Sequence, residues 1–145
     1  GGREQDNLAA LIAESGLQER VHLCGTQPDA MRYVRAFDIF TMPSLQEGLG
    51  LALLEGMSGR LPVMGSDIPA MRPLLQGAGG RLFNPGDVAS LTEQLRAGLA
   101  DSEAERAAQG ERAYRYLRRE HDIDDFRRKY RELLEGDQPL TGSSS

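Results

Sequence analysis

Asp38-Ile39-Phe40-Thr41-Met42-Pro43-Ser44-Leu45-Gln46-Glu47-Gly48-Leu49-Gly50-Leu51-Ala52-Leu53-Leu54-Glu55 is the stretch that decides the fold. Residues 38–42 are a short apolar run of strand length, and Pro43 ends it, because proline has no N–H to give to a ladder. The loop from Ser44 to Gly50 carries two glycines and leads into a helix predicted over about 51–58. A strand that passes through a glycine-bearing loop into a helix is half of a crossover unit. Repeated, such units build a parallel sheet with helices on its faces.

The pattern continues on both sides. Upstream, Leu8, Leu11 and Ile12 recur at helical spacing over residues 4–15, and Gly16 follows as a helix stop. Arg20-Val21-His22-Leu23-Cys24-Gly25 reads as a buried strand closed by Gly25. Pro28 and Asp29 open a helix expected to run through Phe37, with Met31 and Val34 on its apolar side. Downstream, residues 61–66 read as a strand, 68–77 as a short helix with Leu74 and Leu75, and 80–83 as a further strand. Asp87 is placed to cap a helix whose core face is expected to be Val88, Leu91, Leu95 and Leu99. A charged helix follows over 103–119. The last helix is expected over 122–135, with Ile123, Phe126, Tyr130, Leu133 and Leu134 on one face and Gly136 as its stop. Residues 137–145 read as a disordered tail. The expected organisation is one partial domain over 1–136 followed by that tail, with no internal repeat.

The loop and helix at 43–55 hold the candidate chemistry. In an open parallel sheet, ligands bind in the crevice beyond the carboxyl ends of the strands. Gly48 and Gly50 let a backbone approach a ligand with no Cβ in the way. A helix beginning near Gly50 presents unpaired N–H groups and the positive end of its dipole, which suits a phosphate. Glu47 stands before that anion site and Glu55 about one turn into the helix. Carboxylates accept hydrogen bonds from sugar and ribose hydroxyls, each worth about 1.5–3 kcal/mol. By spacing alone, the stretch reads equally as an ordinary connection with a solvated glutamate pair.

From about residue 4 to residue 135 the chain resembles the C-terminal domain of the family 4, or group 1, retaining glycosyltransferases of GT-B fold. Pro43-Ser44-x-x-Glu47-Gly48-x-Gly50 followed by Glu55 matches the family's Glu-x7-Glu signature. Arg20 to Gly25, Phe37 to Phe40, Pro62-Val63 through Ser66-Asp67, and Gly80 through Pro85-Gly86-Asp87 lie in the family's order around it. The resemblance implies a Rossmann-like parallel sheet, the C-terminal half of a GT-B fold, lacking its first strands. It implies that Glu47 meets the donor sugar's hydroxyls, as a donor-positioning group at the reacting sugar and not as a general base. Gly48, Leu49, Gly50 and Leu51 would offer backbone N–H groups to the sugar and diphosphate, and Glu55 would bind the ribose. The turn around Cys24, Gly25 and Thr26 would lie near the base. The donor would be a nucleoside diphosphate sugar bound without metal, with no other cofactor, and retention would proceed by front-face departure and attack.

Three positions depart from the family pattern. Gly56 stands where alanine is usual and weakens a helix by about 1 kcal/mol. Arg60 stands where a helix-ending glycine is expected, with Gly59 one place early, and Pro73 stands where glutamate is usual. The family's first strands, with the Arg and Lys that grip the diphosphate, and its N-terminal acceptor domain have no counterpart here. The chain opens on Gly1-Gly2-Arg3 and reads as cut from something longer. The expectation is a donor-binding portion whose acceptor is a glycan, a lipid-linked sugar or a small molecule, and which is inactive alone. A degenerate, non-catalytic sugar-nucleotide module is the alternative. A sugar-nucleotide epimerase is a third reading, which Glu47 and Glu55 disfavour.

Composition fits a globular domain. The 145 residues are 39% hydrophobic and 27% charged, with a formal net charge of −5. That charge argues against nucleic acid as a partner, since phosphate neutralisation supplies much of such affinity. Cys24, the one cysteine, has no internal partner, which makes a reducing, cytoplasmic setting the expectation. No apolar run approaches the roughly 20 residues needed to span a bilayer. His22 reads as a packed or hydrogen-bonded histidine in a strand, and His121 as a surface residue; with Cys24 they give no metal spacing. The arginines from Arg106 to Arg131 are interleaved with acids and read as a solvated helix surface. Some of them are candidates to face acidic lipid, a peripheral membrane contact of the parent protein.

Overall fold

The computed structural model describes residues 3–27 and 31–120. The chain forms two compact units that part between residues 30 and 31. The expected helix at 122–135 and the tail at 137–145 lie outside the described residues.

In the first unit, α1 spans Arg3–Glu14. Gly16 ends it as expected, at φ 65°. The N–H of Gly16 bonds the carbonyl of Ala13 at 3.1 Å, and that of Leu17 bonds Ile12 at 3.0 Å. This pair of bonds is the Schellman closure, in which glycine supplies the left-handed residue. The strand expected over 20–25 is not formed. Residues 21–25 have no regular structure and are exposed, with Arg20 and Val21 turning back onto the carbonyl of Leu17 at 2.9 Å each. An extended segment becomes a strand only by pairing, and the described sheet has no ladder for it.

The second unit carries the sheet. Its elements are α2 (Met31–Val34), β1 (Phe40–Met42), α3 (Leu51–Ser58), β2 (Val63–Ser66), α4 (Arg72–Ala78), β3 (Arg81–Phe83), α5 (Val88–Ala100) and α6 (Glu103–Glu120). Pro28 to Ala30 lie outside the described residues, and the helix expected to run through Phe37 is helical only over Met31–Val34. The three strands are parallel in the order β1-β2-β3, with Phe40 opposite Val63 and Met64 opposite Arg81. Adjacent strand residues point to opposite faces. Gly65 faces Met71 and Leu75, while Met64 reaches Gly98. The sheet therefore carries α4 on one face and α5 on the other. α6 packs against α3 and α4. The core lies between these three helices and the sheet, and includes Leu53, Met57, Val63, Met71, Leu75 and Leu117.

Two helix faces differ from expectation. On α5, Val88 is 78% and Leu99 66% exposed, and Leu91 and Leu95 are half-buried. The buried contact is made at Gly98, where a Cβ would lie 3.1 Å from Ile39 and 3.2 Å from Met64. The helix comes so close at its glycine that its leucine stripe is turned partly outward. Asp87 caps α5 as expected, accepting from the Ser90 N–H at 3.0 Å. α6 has a charged outer face, with Arg115 and Glu111 paired at 3.3 Å. Its inner face, with Gly110, Ala113 and Leu117, is core.

The departures from the family pattern have packing reasons. A Cβ on Gly56 would lie 2.5 Å from Cγ of Phe40, so the glycine lets α3 lie directly on β1. Gly59 is glycine because a Cβ there would run into Cγ1 of Val34. Arg60 then takes the left-handed position itself, at φ 60°. Arg60 N–H bonds Met57 O at 3.0 Å and Leu61 N–H bonds Gly56 O at 3.3 Å, the same closure seen at Gly16. α4 ends in that closure too, with Gly79 at φ 68°. The left-handed form costs a side chain about 1–2 kcal/mol. Against this, Arg60 pairs with Glu111 at 2.8 Å and stacks over Tyr114 at 4.3 Å. Such surface contacts are worth about 0–1 and 0.5–1 kcal/mol, so the two sides roughly cancel. Pro73 lies in the first two positions of α4, where its missing N–H leaves no bond unmade.

Candidate functional site

The loop at 43–50 leaves the carboxyl end of β1. At Gly50 it meets the start of α4, since a Cβ there would lie 3.2 Å from Leu74 and 3.7 Å from Met71. At Leu45 it meets the loop after β3, with Leu45 Cδ2 3.6 Å from the Cβ position of Gly86. The connections following all three strands thus adjoin at one end of the sheet, the end where ligands bind in open α/β folds.

Gly50 is required by the fold itself, being buried and left-handed at φ 61° as it turns the chain into α3. Gly48 is different. Its φ is ordinary and a Cβ there would meet nothing within 4 Å. Among the described residues no neighbour requires its smallness, and the space above it is open. Leu49 is 65% exposed. Leu53 and Leu54 donate to the Gly50 carbonyl at 2.9 and 3.3 Å. The N–H groups of Leu51 and Ala52, in the first turn, have no carbonyl behind them in the helix and point out of its positive end.

The carboxylates occupy the two sides of this helix end. Glu47 is half-buried, and its Oε1 accepts from the Ser44 hydroxyl at 2.9 Å. This holds it just ahead of the N-terminus. The Ser-x-x-Glu spacing that makes the contact possible is visible in the sequence, but its role was not read there. Glu55 lies on α3 and is exposed. With about 100° per residue, it sits roughly 180° from the midpoint of the buried Leu53 and Met57, on the side of Leu51 and Ala52, and about 6 Å along the axis from Leu51. Among the described residues its carboxylate has no hydrogen-bond or ion-pair partner. The structure thus brings Glu47, Gly48, Leu49, Gly50, Leu51 and Glu55 onto one loop and one helix end, and among the described residues neither glutamate is in an ion pair. Cys24, Gly25 and Thr26 lie in the first unit, where the carbonyl of Cys24 accepts from Gln27 Nε2 at 2.5 Å.

A second charged pair stands at the same end of the sheet and was not anticipated. Asp67 follows β2, and Arg72 opens α4 and hydrogen-bonds to it. That bond holds the Asp67 carboxyl below the usual carboxylate range and raises Arg72. Beside it, the Ser66 hydroxyl is fully buried at the carboxyl end of the middle strand and has no hydrogen-bond partner among the described residues. His22 is exposed, so the packed histidine expected there is corrected; with its segment unpaired, no core encloses it. His121 lies outside the described residues. Among the described residues, no group of His, Cys, Asp and Glu is placed to hold a metal ion, and no helix is long and apolar enough to cross a membrane.

The family model of the group 1 glycosyl transferases matches residues 1–101. The chain belongs to this family. It is 34% identical over 114 residues to the lipopolysaccharide core biosynthesis mannosyltransferase LpcC of Rhizobium leguminosarum bv. viciae, covering 78% of this chain and 32% of that protein. It superimposes on the sucrose-phosphate synthase of Thermosynechococcus elongatus with a TM-score of 0.75 at 24% identity, over 94% of this chain and 36% of the other. The C-terminal domain of a group 1 glycosyl transferase (LpcC) from Francisella tularensis matches with a TM-score of 0.68 at 21% identity, over 81% and 62%. The fold is therefore that of part of a GT-B glycosyltransferase, and the chain spans about a third of the length of the LpcC relative.

Proposed function

We propose that this chain is the donor-binding portion of a retaining hexosyltransferase that moves a sugar from a nucleoside diphosphate to a glycan, lipid-linked or small-molecule acceptor. Glu47 positions the donor sugar through its hydroxyls. The N–H groups from Gly48 to Leu51 take the sugar and diphosphate, and Glu55 takes the ribose. In this chain the helix dipole offsets part of the diphosphate charge, and in the whole enzyme basic side chains from outside this sequence, not a metal, supply the rest. The observation that carries this reading is the pairing at α3. One carboxylate is held by Ser44 ahead of the helix N-terminus, and a second lies exposed one turn in, without a side-chain partner among the described residues. Solvated glutamates would satisfy the fold equally, but they would not call for an unobstructed glycine between them.

The degenerate-module reading rests on the departures at Gly56, Arg60 and Pro73 and on the family's first strands having no counterpart in this sequence. The three departures are each compatible with an intact α3 and α4, so they do not favour it. The chain covers 32% of its LpcC relative, and we expect the 145-residue chain alone to bind donor without turning it over. Calorimetric titration with UDP-glucose and GDP-mannose, repeated on Glu55→Ala, tests this. Weak binding that Glu55→Ala abolishes supports the assignment. Binding that ignores the substitution removes Glu55 from the site, and turnover by the chain alone removes the claim that it is only a portion.

A further inference from the structure

We infer that Arg60 is a positioning residue that sets the place of α3 from its far end, by clasping the helix to α6; its bearing on donor binding rests on the reading above. Among the described residues three helices end in the same pair of closing bonds. Two of them, at Gly16 and Gly79, place glycine at the left-handed residue, and the third places Arg60 there. A left-handed side chain where glycine would sit unstrained must be held there by its contacts. Those of Arg60 do so. Its guanidinium pairs with Glu111 at 2.8 Å and lies over the ring of Tyr114 at 4.3 Å, both on α6. Its own backbone carbonyl is pressed against Gly110, where any Cβ would collide with it. One turn of α6 thus grips the end of α3 by main chain, charge and ring together.

The other contacts of α3 show why this grip matters. The helix has eight residues, too short to bend, so its two ends move together. Gly56 and Gly59 bring it onto Phe40 and Val34 with no side chain between, which sets its distance from them. At its carboxyl end Arg60 adds directional contacts to α6, an ion pair and a stacked cation. Its amino end carries the N–H groups of Leu51 and Ala52, and its open face carries Glu55. A shift at Arg60 therefore reappears at those groups. Tyr114 and Glu111 are the partners through which α6 fixes the register.

Arg60→Gly separates position from stability, because it relieves the left-handed strain while removing the clasp. Amide hydrogen exchange, thermal unfolding, and titration with UDP and with GDP are measured on the 145-residue chain, on Arg60→Gly and on Glu111→Gln. We expect the melting temperature of Arg60→Gly to be unchanged or higher. The amides of Leu53 to Met57 should exchange about tenfold faster, with those of β2 and β3 unaffected. Nucleotide binding should weaken about threefold or more. Glu111→Gln should move α3 exchange the same way, and adding it to Arg60→Gly should leave α3 exchange where Arg60→Gly alone puts it, since its other partner, Arg115, lies on α6. Unchanged exchange in α3 would overturn the proposal, as would a lower melting temperature with exchange raised uniformly over the sheet. Glu55→Ala in the same titrations tests the donor site separately. If neither nucleotide binds the unsubstituted chain at millimolar concentration, the donor reading fails, while the exchange data still decide whether Arg60 holds α3.

Discussion

Gly56→Ala is the substitution for which helix propensity and packing give opposite signs. In an exposed helix interior, alanine is better than glycine by about 1 kcal/mol. Here the new Cβ would lie 2.5, 2.8 and 3.0 Å from Cγ, Cδ1 and Cβ of Phe40. Ordinary carbon contacts are about 3.5–4.0 Å, so about 1 Å must be found. Rotating the ring does not provide it, because Cβ of Phe40 is itself too close and is fixed to the backbone of β1. α3 and the strand must move apart. Overpacking of this kind costs about 1–3 kcal/mol, and with little freedom to relax the upper end applies. After the propensity gain, a net loss of about 2 kcal/mol is expected, lowering the melting temperature by roughly 5 °C for a chain of this size. Thermal and urea unfolding followed by circular dichroism measure it. Phe40→Ala, which removes Cγ and Cδ1, introduced together with Gly56→Ala should recover part of the loss, giving a coupling of about 1 kcal/mol. A Gly56→Ala protein that melts higher than the original would refute the close approach of α3 to β1.

The two site glycines should separate in the same assay. Gly50→Ala, at φ 61° and against Leu74, should lose about 1–3 kcal/mol, whereas Gly48→Ala should stay within about 0.5 kcal/mol yet weaken nucleotide binding, as read by calorimetry. Asp67, Asp87 and Asp101 have carboxyls held below the usual range, by Arg72, by the Ser90 N–H, and by Gln109 and Arg81 respectively. Their contribution is fully present above the unfolded-state value and is lost as pH falls through the lower folded value, so melting temperatures should be level in this respect from neutrality to about pH 5 and fall below about pH 4. Asp101→Asn should flatten that fall, and an unaltered acid profile would remove Asp101 from it.

Much of the fold is legible because it is written locally. The ends of α1 and α3, the break at Pro43 and the Asp87 cap all rest on one or two residues whose backbone or hydrogen-bonding needs are fixed by their chemistry. The glutamates could be placed for the same reason, by counting along a loop and a helix. What was not legible depends on neighbours distant in sequence. Val21 and Leu23 have strand composition, but a strand needs a partner. The apolar stripe of α5 predicts burial of Val88 and Leu99, yet the contact with Ile39 and Met64 is made at Gly98, and this turns the stripe aside. Gly56 reads as a weakness until Phe40 is seen beneath it. Arg60 reads as a misplaced residue until Val34 shows why position 59 is glycine and Gly110 is seen making room for the Arg60 carbonyl. The Asp67–Arg72 pair spans a turn whose shape no spacing rule fixes.

A titration of the isotopically labelled chain with UDP-glucose, followed residue by residue in amide nuclear magnetic resonance spectra, tests the donor site most directly. We predict a dissociation constant in the high micromolar to millimolar range, on the order of −4 to −5 kcal/mol. A helix end alone gives an anion only about 0.3–2 kcal/mol, and the remainder must come from the hydroxyl contacts of Glu47 and Glu55. The largest shifts should fall on Gly48 to Ala52 and reach Glu55, with α5 and the outer face of α6 silent. Shifts confined to other parts of the chain, or saturation that leaves Gly48 to Ala52 unmoved, would contradict the assignment of this loop and helix as the donor site.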